Sequence, residues 1–239
     1  MSGRENQLGQ PIGAPLPDWQ PRPLPPATVM QGRTVRLEKL SALQHGEDLW
    51  TAFQSDHEGR VWTYLPDGPF ERRDDFDGFL SRCEASPDPM FFAILDQARD
   101  KAVGFASFLR FDARVGSIEV GYIAFSPGLQ RSRQATECMY LMMARVFDEL
   151  GYRRYEWKCD SLNAPSRKAA ERLGFRYEGL FRQATIYKQR NRDTCWFSIV
   201  DSEWPGLKRE YERWLADENF NADGSQKTRL AVPARTDET

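Results

Sequence analysis

The stretch IEVGYIAFSPGLQRSRQATECMYLMMARVFDEL, residues 118–150, decides the fold of this chain. It predicts a strand, a tight turn at residues 129–135 and an amphipathic helix that carries apolar residues on one face. A strand that turns directly into a helix N-terminus can hold a phosphate, because the first amides of the helix point outward. Such turns usually contain glycine, which lets the backbone approach the phosphate, yet residues 130–149 contain none. The turn is therefore either a modified phosphate loop or only a connector.

Length and composition limit the chain to one ordinary domain with tails. The 239 residues carry 33 basic and 35 acidic side chains, and this near balance argues against a bulk electrostatic grip on nucleic acid. The four cysteines and two histidines lack the spacing of metal ligands. Since no apolar run could span a bilayer and no signal pattern is visible, we expect a cytoplasmic protein without metal, membrane or nucleic-acid contacts.

Periodicity and turn signals on both sides of this stretch predict the element order β-α-α-β-β-β-α-β-α-β-β. Residues 117–125 are the fourth strand of this series, and residues 153–160 are the fifth. A mostly antiparallel sheet of about seven strands flanked by four helices is a mixed α/β (α+β) domain. We expect this domain at residues 32–204, an extra C-terminal helix at 205–219 and a polar tail at 220–239.

Residues 1–31 form an N-terminal arm rich in proline, a residue that lacks an amide donor and resists regular structure. One interpretation is a disordered arm. The other is an extended strap over the domain, because Trp19 and the spaced aliphatic residues would be costly to leave in water. The proline segments also permit a scaffold that recruits other proteins through the arm, and a Trp19 packed on the domain would argue against that function.

The stretch NAPSRKAAERLGFRYEG, residues 163–179, carries the most specific motif. It is similar to the Asn-x-x-Ser…Gly-Phe…Glu-Gly signature of RimJ/RimL-like N-acetyltransferases, and IEVGYIAFSP resembles the fourth strand of the same GNAT superfamily. The resemblance covers roughly residues 33–204. It implies that acetyl-CoA lies in a wedge where the fourth and fifth strands splay apart. It also implies direct transfer of the acetyl group from the thioester to a primary amine in a ternary complex.

The same resemblance implies which residues hold the acetyl donor, through a strand edge that pairs with pantetheine and a turn that meets the pyrophosphate. These residues are Ile123, Ala124, Phe125, Gln130, Arg131, Ser132, Arg133, Gln134, Ala135 and Thr136. Arg133 stands where the usual turn pattern has glycine. It fits there if its φ is helical, since a positive φ costs an L-residue about 1 kcal/mol or more. Its side chain could then add a contact to phosphate, unless Arg131 and Arg133 are only solvated surface residues.

Asn163 and Ser166 have both a structural and a functional interpretation. As structure, Asn163 caps a helix and Ser166 belongs to its first turn. The resemblance implies instead that Asn163 bonds pantetheine, and that Ser166 lies near the cofactor sulfur and protonates the leaving thiolate. Ala170 stands where the superfamily more often has a tyrosine, which makes Ser166 the candidate acid.

Glu119, at the start of the fourth strand, is the candidate base. Acetyl transfer needs a neutral amine, because an ammonium has no lone pair, and a lysine-like amine with a pKa of about 10.4 is almost fully protonated at neutral pH. The resemblance places a base at Glu119 that acts directly or through water. A strand carboxylate paired with a neighbouring arginine is the alternative.

The acceptor side is the part that the sequence determines least. Trp62 and Tyr64, in the aromatic loop 61–70, would line it, and Tyr155 and Trp157 are weaker candidates, although aromatic residues there could equally form core. The acceptor is a protein N-terminal amine, as the RimJ/RimL resemblance suggests, or a small-molecule amine. The absent glycine and tyrosine also permit a CoA-binding or sensing module without catalysis. The aromatic loop and the arm would support a homodimer.

Overall fold

The computed structural model describes residues 4–232 of the chain. Within this range the strands are β1 (Arg4–Glu5), β2 (Pro11–Ile12), β3 (Met30–Gln31), β4 (Val35–Lys39), β5 (Met90–Asp96), β6 (Lys101–Asp112), β7 (Ser117–Phe125), β8 (Arg154–Asp160), β9 (Arg176–Tyr187) and β10 (Arg190–Val200). The helices are α1 (Ala42–Phe53), α2 (Arg73–Ala85), α3 (Arg133–Ala144), α4 (Ala164–Arg172) and α5 (Trp204–Leu215). Ser41, Ser132 and Asn163 begin α1, α3 and α4, because each side chain accepts a hydrogen bond from a first-turn amide.

Eight strands form one sheet in the order β3-β4-β5-β6-β7-β8-β10-β9. Its neighbouring strands are antiparallel except β7 and β8, which run parallel. This parallel pairing is short and joins only residues 117–120 to residues 154–157. Beyond it, β7 continues along β6 and β8 continues along β10. The two central strands therefore separate toward their C-terminal ends and leave a wedge between them.

The sheet has a helical layer on each face. Alternate residues of β5 enter two different cores, since Phe91 packs with α1 and α2 whereas Phe92 packs with α3 and α5. The first core is dominated by aromatic rings from α1, α2 and the loop between them. None of the helices among residues 4–232 is long and apolar enough to cross a membrane.

The seven predicted strands are β4 to β10, so the predicted mixed α/β fold with its wedge is confirmed. Periodicity missed β3, a two-residue edge strand that pairs with β4, and the separate β1–β2 hairpin. Strands this short carry too little alternation to be detected. The predicted fourth and fifth strands are β7 and β8. The helix between them ends in one π-helical turn, Arg145–Glu149.

Over residues 19–29 the N-terminal arm is an extended strap on the domain, whereas residues 4–12 form the separate β1–β2 hairpin. Trp19 donates its indole N–H to the carbonyl of Arg114 at 2.7 Å. The guanidinium groups of Arg22 and Arg153 lie 4.4 and 5.8 Å from the centre of its ring. A tryptophan fixed by a hydrogen bond and two cations holds the arm against the sheet end, which argues against a scaffold function.

A buried arginine holds the end of the arm. Arg145, which is 3% exposed, donates to the carbonyls of Pro26 and Val29 and to the hydroxyl of Thr28. Buried guanidinium groups need such partners, since an unpaired charge inside a protein is costly. Residues 1–3 of the predicted arm lie outside the described residues. The boundary between arm and domain at residues 31 and 32 stays a prediction.

Helix α5 lies in the groove between α3 and α4. Tyr140 of α3 stacks with Trp204 and Tyr211 of α5 at centroid distances of 6.0 and 5.6 Å. The Tyr211 hydroxyl donates to the carbonyl of Leu173, just past α4, at 2.9 Å. Burying one such large side chain contributes roughly 1.5–3 kcal/mol, so α5 is an integral part of the fold.

Candidate active site

The edge of β7 faces the wedge over residues 121–125, where β8 no longer pairs with it. Tyr122 takes a left-handed φ of 49° and marks a bulge at which the register with β6 shifts. Ala124 is buried and Ile123 is half-buried. The carbonyl of Phe125 accepts a hydrogen bond from the Gln130 side-chain amide at 2.9 Å. These two predicted cofactor-binding residues therefore bond to each other, and this carbonyl already has a partner. The open edge is therefore shorter than predicted.

The turn between β7 and α3 has free amides. As predicted, Arg133 has a helical backbone and begins α3, and the left-handed residue is Arg131 instead, with a φ of 60°. Among the described residues, the amides of Arg131, Arg133 and Gln134 have no hydrogen-bond partner. They lie at the positive end of α3, where backbone amides bind phosphate.

The other four amides of the predicted phosphate turn are used within the protein. The acceptors are the Ser126 carbonyl for Gln130, the Leu129 carbonyl for Ser132, the Ser132 hydroxyl for Ala135 and the Ser132 carbonyl for Thr136. These bonds close the turn and cap the helix, functions that compete with anion binding. Of the six amides, Arg131 to Thr136, that the resemblance implies for the pyrophosphate, three are thus without a partner among the described residues.

The side chain of Arg133 points away from a phosphate on these amides and toward the end of α5 and the residues that follow it. Its guanidinium donates to the carbonyl of Leu215 and to the carboxylate of Asp217, the latter at 2.6 Å. The same group lies 4.3 Å from the ring centre of Phe220. The predicted phosphate contact is corrected accordingly, since Asp217 already neutralises this guanidinium. Arg131 remains an exposed basic residue beside the free amides.

Ser166 and Asn163 lie at the start of α4. Asn163 accepts the Ser166 amide through its side-chain oxygen at 3.1 Å, as a helix cap does. The Ser166 hydroxyl accepts the indole N–H of Trp157 at 3.0 Å. It also hydrogen-bonds the thiol of Cys159, whose pKa burial raises to about 11. This half-buried hydroxyl is thus held by two neighbours from β8.

Glu119 lies in a buried ion-pair network. Its side chain is 3% exposed, and its carboxylate lies 2.8 Å from both the Lys158 ammonium and the Arg110 guanidinium. Lys158 also pairs with Glu156 at 2.8 Å and lies over the ring of Trp196. The alternative interpretation, a paired strand carboxylate, describes these contacts. Both cations contact the same carboxylate oxygen, Oε2.

Trp62 is a core residue, which corrects its predicted place in the acceptor pocket. It is 4% exposed and packs against Phe53, Phe70 and Phe79 at centroid distances of 5.1 to 6.1 Å. Tyr155, 1% exposed, is likewise core, because its ring lies between β8 and the helices. Trp157 is 6% exposed and reaches the site only through its indole N–H. Large aromatic rings gain more from burial than a pocket wall offers.

The loop that follows Trp62 closes over the wedge from the face of α1 and α2. The Tyr64 hydroxyl donates to the carbonyl of Leu162 at 3.1 Å, and the Tyr122 hydroxyl donates to Asp67 at 2.7 Å. Lys188, at the tip of the β9–β10 hairpin, donates to the carbonyl of Trp62 at 2.7 Å. Among the four predicted acceptor residues, Tyr64 alone lies half-exposed at the wedge.

Sequence reasoning missed the pair of Asp67 and Tyr122. Burial and the hydrogen bond to Asp67 both raise the pKa of Tyr122 well above its usual value, so it stays a proton donor. Asp67 keeps 30% of its side chain exposed, and its nearest cation, Arg82, is 3.5 Å away. The sequence signal was an aspartate in a loop otherwise rich in aromatic residues. No cluster of three or more His, Cys, Asp or Glu residues within the described range could hold a metal ion.

Comparisons with known proteins point to one family. The profile of the acetyltransferase (GNAT) domain matches residues 35–176. The crystal structure of a GCN5-related N-acetyltransferase from Brucella melitensis is 48% identical, with a TM-score of 0.88 over 90% of this chain and 97% of that one. A probable GNAT-family acetyltransferase from Chromobacterium violaceum is 41% identical, with a TM-score of 0.76 over 82% and 98%. The uncharacterized N-acetyltransferase YnaD of Bacillus subtilis (strain 168) is 23% identical over 158 residues, 66% of this chain and 91% of that protein.

Proposed function

This chain belongs to the acetyltransferase (GNAT) family and is an acyltransferase, and we propose that it moves the acetyl group of acetyl-CoA onto the N-terminal amine of a protein. The observation that carries the donor half of this proposal is the wedge between β7 and β8, with three free amides at its base. An unpaired strand edge can bond an extended amide chain, and free amides at a helix start can bond its phosphates.

The chain's own residues would hold the donor in an ordered way. Ile123 and Ala124 offer the β7 edge to the pantetheine amides, and the amides of Arg131, Arg133 and Gln134 meet the pyrophosphate. Asn163 uses its side-chain oxygen to cap α4, which leaves its amide hydrogens for pantetheine. Acetyl-CoA supplies a thioester carbonyl that an amine can attack. This arrangement fixes the carbonyl near Ser166.

Ser166 acts as the acid in this proposal. Attack of the amine nitrogen forms a new bond to the carbonyl carbon, and the sulfur leaves as a thiolate that needs a proton. The hydroxyl of Ser166, fixed by the Trp157 indole N–H and the Cys159 thiol, can donate that proton. Ala170 replaces the tyrosine of related enzymes, so no second hydroxyl competes from that position.

The amine is received by Asp67 in preference to Glu119. Asp67 keeps 30% of its side chain exposed on the loop over the wedge, whereas the buried Glu119 already pairs with Lys158 and Arg110 through Oε2. A carboxylate attracts an ammonium and lowers the barrier to passing its proton to water. Glu119 keeps Lys158 and the strands in place.

An open surface supports the choice of acceptor class. A broad polar depression of about 640 Å³ lies on the β9–β10 hairpin, lined by Arg182, Gln183, Asn191 and Asp193. The Asp193 carbonyl accepts the amide of Ser161, so the depression adjoins the loop that leads into α4. An extended peptide can occupy such an open groove, whereas a small amine is better held in an enclosed pocket. This supports a protein N-terminus over a small-molecule amine.

The experiment is an acetyl-transfer assay with two panels of acceptors. Acetyl-CoA and the protein are incubated with peptides of free N-terminus and, separately, with polyamines and amino sugars, and products are identified by mass spectrometry. We expect acetylation at the peptide α-amine and none when that amine is blocked. Turnover of small amines alone would contradict the peptide acceptor and identify a small-molecule amine instead. CoA binding without any turnover would support the second candidate, a CoA-binding module without catalysis.

A second candidate is a CoA-binding module without catalysis. The locked ion pairs of Glu119 and the alanine at residue 170 favour it, since both remove groups that related enzymes use. In that case Ser166→Ala would alter stability alone. Calorimetry of CoA binding, together with the acceptor panels, separates the two candidates.

A further inference from the structure

After α5 the described chain continues as a folded turn, here called the C-terminal segment, residues 216–226. Asn219, 8% exposed, donates its side-chain amide to the carbonyl of Trp214 at 2.9 Å and accepts the amide of Thr228 at 2.9 Å. The indole of Trp214 donates to Gln226 at 2.8 Å. The predicted polar tail at 220–239 contains part of this turn, and residues 233–239 lie outside the described range.

This segment lies against the first turn of α3 because α5 runs antiparallel to α3. At one end Trp204 donates to Asp148, beyond the C-terminus of α3, at 2.8 Å. At the other end the carbonyl of Leu215 accepts the guanidinium of Arg133, the first residue of α3. The direction of α5 therefore delivers the C-terminal segment to the helix end that carries the free amides.

Arg133 fastens the segment there with three contacts. It donates to the Leu215 carbonyl and to the Asp217 carboxylate. Its guanidinium carbon also lies 4.3 Å from the centre of the Phe220 ring. Only 19% of its side chain is exposed. A glycine at this position could make none of these contacts, so the residue that departs from the usual turn pattern is the one that joins the two parts.

A depression of about 570 Å³ lies between the C-terminal segment and the start of α3. Its lining includes Arg33, Gln134, Phe220, Asn221 and Gly224. The free amide of Gln134 belongs to one wall, and the segment forms the other. The exposed guanidinium of Arg33 makes no side-chain hydrogen bond to another described residue. A cation, free amides and an aromatic edge together suit a nucleotide phosphate and its base.

The carboxylate of Asp96, which lines this depression, does not oppose an anion. Asp96 is 1% exposed and pairs with Arg99 at 2.6 Å. Although burial alone would raise the pKa of Asp96, hydrogen bonds from Arg99, the Gln134 side chain and the Ala98 amide lower it on balance. Its charge is thus satisfied inside the protein, and it orients Gln134.

We propose that the C-terminal segment is one wall of the cofactor site and contacts the nucleotide end of CoA, with Arg133 as the positioning residue that holds it. The proposal rests on the proposed function, because it needs CoA in the wedge. A pyrophosphate on the amides of Arg133 and Gln134 leaves the adenosine beside the segment. Arg33 then faces the nucleotide phosphates.

Hydrogen exchange of the full chain tests the contact directly. CoA and adenosine 3′,5′-bisphosphate are each added at saturation, and pantetheine serves as the matched ligand without a nucleotide. We expect CoA and the bisphosphate to slow exchange at residues 217–226, and pantetheine to leave it unchanged. Protection by CoA at residues 131–136 without any at 217–226 would overturn this inference while leaving the proposed function intact. No binding of CoA by the unaltered protein would remove both.

Two variants test the positioning role. Arg133→Ala removes all three contacts, and Phe220→Ala removes the aromatic partner without touching the residues of the α3 turn. We expect each to weaken CoA binding about tenfold, which corresponds to roughly 1.4 kcal/mol, with the Kd for pantetheine unchanged. Arg72→Ala, which removes an exposed arginine far from α3, is the control. An unchanged Kd for CoA in both folded variants overturns the proposal, and so does tighter binding, which would mean that the segment obstructs the site.

Discussion

At the scale of single residues, substitutions of Ser166 can distinguish a catalytic role of its hydroxyl from a purely structural one. Ser166→Ala removes the proposed acid and also the acceptor of the Trp157 indole N–H. We expect kcat to fall about 10²-fold, the range of a lost general acid, with the Kd of CoA nearly unchanged. Steady-state kinetics and calorimetry measure the two quantities. Ser166→Thr retains a hydroxyl and should recover part of the rate, and an unchanged kcat in Ser166→Ala would leave Ser166 with only its structural contacts to Trp157 and Cys159.

Glu119 gives the opposite expectation, a large effect on stability. Glu119→Gln leaves Arg110 without its buried partner and Lys158 with only Glu156. We expect the free energy of unfolding in urea to fall by roughly 3 kcal/mol, the lower end of the cost of breaking a buried ion pair.

The exposed pair of Glu58 and Arg60 provides the control for this prediction. Glu58→Gln should leave the urea midpoint unchanged, since exposed ion pairs contribute little. If Glu119→Gln kept its stability and lost its rate, Glu119 would be the base after all.

At the scale of elements, the first turn of α1 contains a pH-sensitive group. His45 is 3% exposed and accepts the Ser41 amide through Nδ1 at 3.1 Å. Burial lowers the pKa of His45, and this outweighs the opposite influence of Glu38 and Asp48. The unfolded chain takes up a proton near pH 6.5, whereas folded His45 does so only at lower pH. Its contribution to stability is therefore complete above about pH 6.5 and is lost as the pH falls through the folded pKa.

Urea unfolding at pH 7.5 and 5.5 measures this loss. We expect His45→Asn to lose less unfolding free energy between these two pH values than the unaltered protein does. His57 is exposed and is the only other histidine, so His57→Asn should keep the full loss. Equal losses of unfolding free energy in all three proteins would show that His45 does not contribute to the pH dependence of stability between pH 7.5 and 5.5.

Trp19 attaches the middle of the N-terminal arm to the domain, while Arg145 holds the end of the arm. Trp19→Ala removes the hydrogen bond to Arg114 and the contacts with Arg22 and Arg153. We expect limited proteolysis to cut within residues 4–30 much sooner, because the arm then opens without global unfolding. Leu24→Ala, at a residue that is 62% exposed, is the matched control and should be cut at the original rate.

Helices and strands could be predicted from the sequence where their apolar residues recur at a regular spacing. Strands β4 to β10 and the capped helix α4 followed from alternation, apolar spacing and the Asn163 cap. The two-residue β3 carries no pattern, and Trp62 and Tyr64 cannot be told apart by type, since core and pocket both accept aromatic rings. The use of Arg133 depends on residues 215–220, which lie more than 80 positions away and carry no local signal.

At the scale of the whole molecule, the two sequence features that suggested a homodimer, the aromatic loop and the N-terminal arm, both pack within the same chain. The aromatic loop places Trp62 in the core, and the arm packs Trp19 on its own domain. The exposed apolar residues that remain include Phe181 and Ile186 on the edge strand β9. The homodimer therefore stays a prediction that rests on neither of its original reasons.

Removal of α5 and all that follows tests how far the molecule depends on its C-terminus. A chain that ends at Asp201 would expose the groove in which Tyr140 and Leu173 now meet Tyr211. Each large apolar side chain returned to water costs roughly 1.5–3 kcal/mol, a substantial part of the stability of one domain. We expect such a chain to be insoluble or to unfold at a much lower Tm. A soluble chain with the original Tm would contradict the integral role of α5.

The position of α5 also bears on how the protein is made. Translation delivers the sheet, α3 and α4 before α5, so the groove between the two helices keeps its apolar surface uncovered until α5 is made. The C-terminal segment then reaches the first turn of α3 after these elements have formed. A chain whose synthesis stops before α5 thus exposes an apolar, aggregation-prone groove, and the arrival of α5 is the step that covers it.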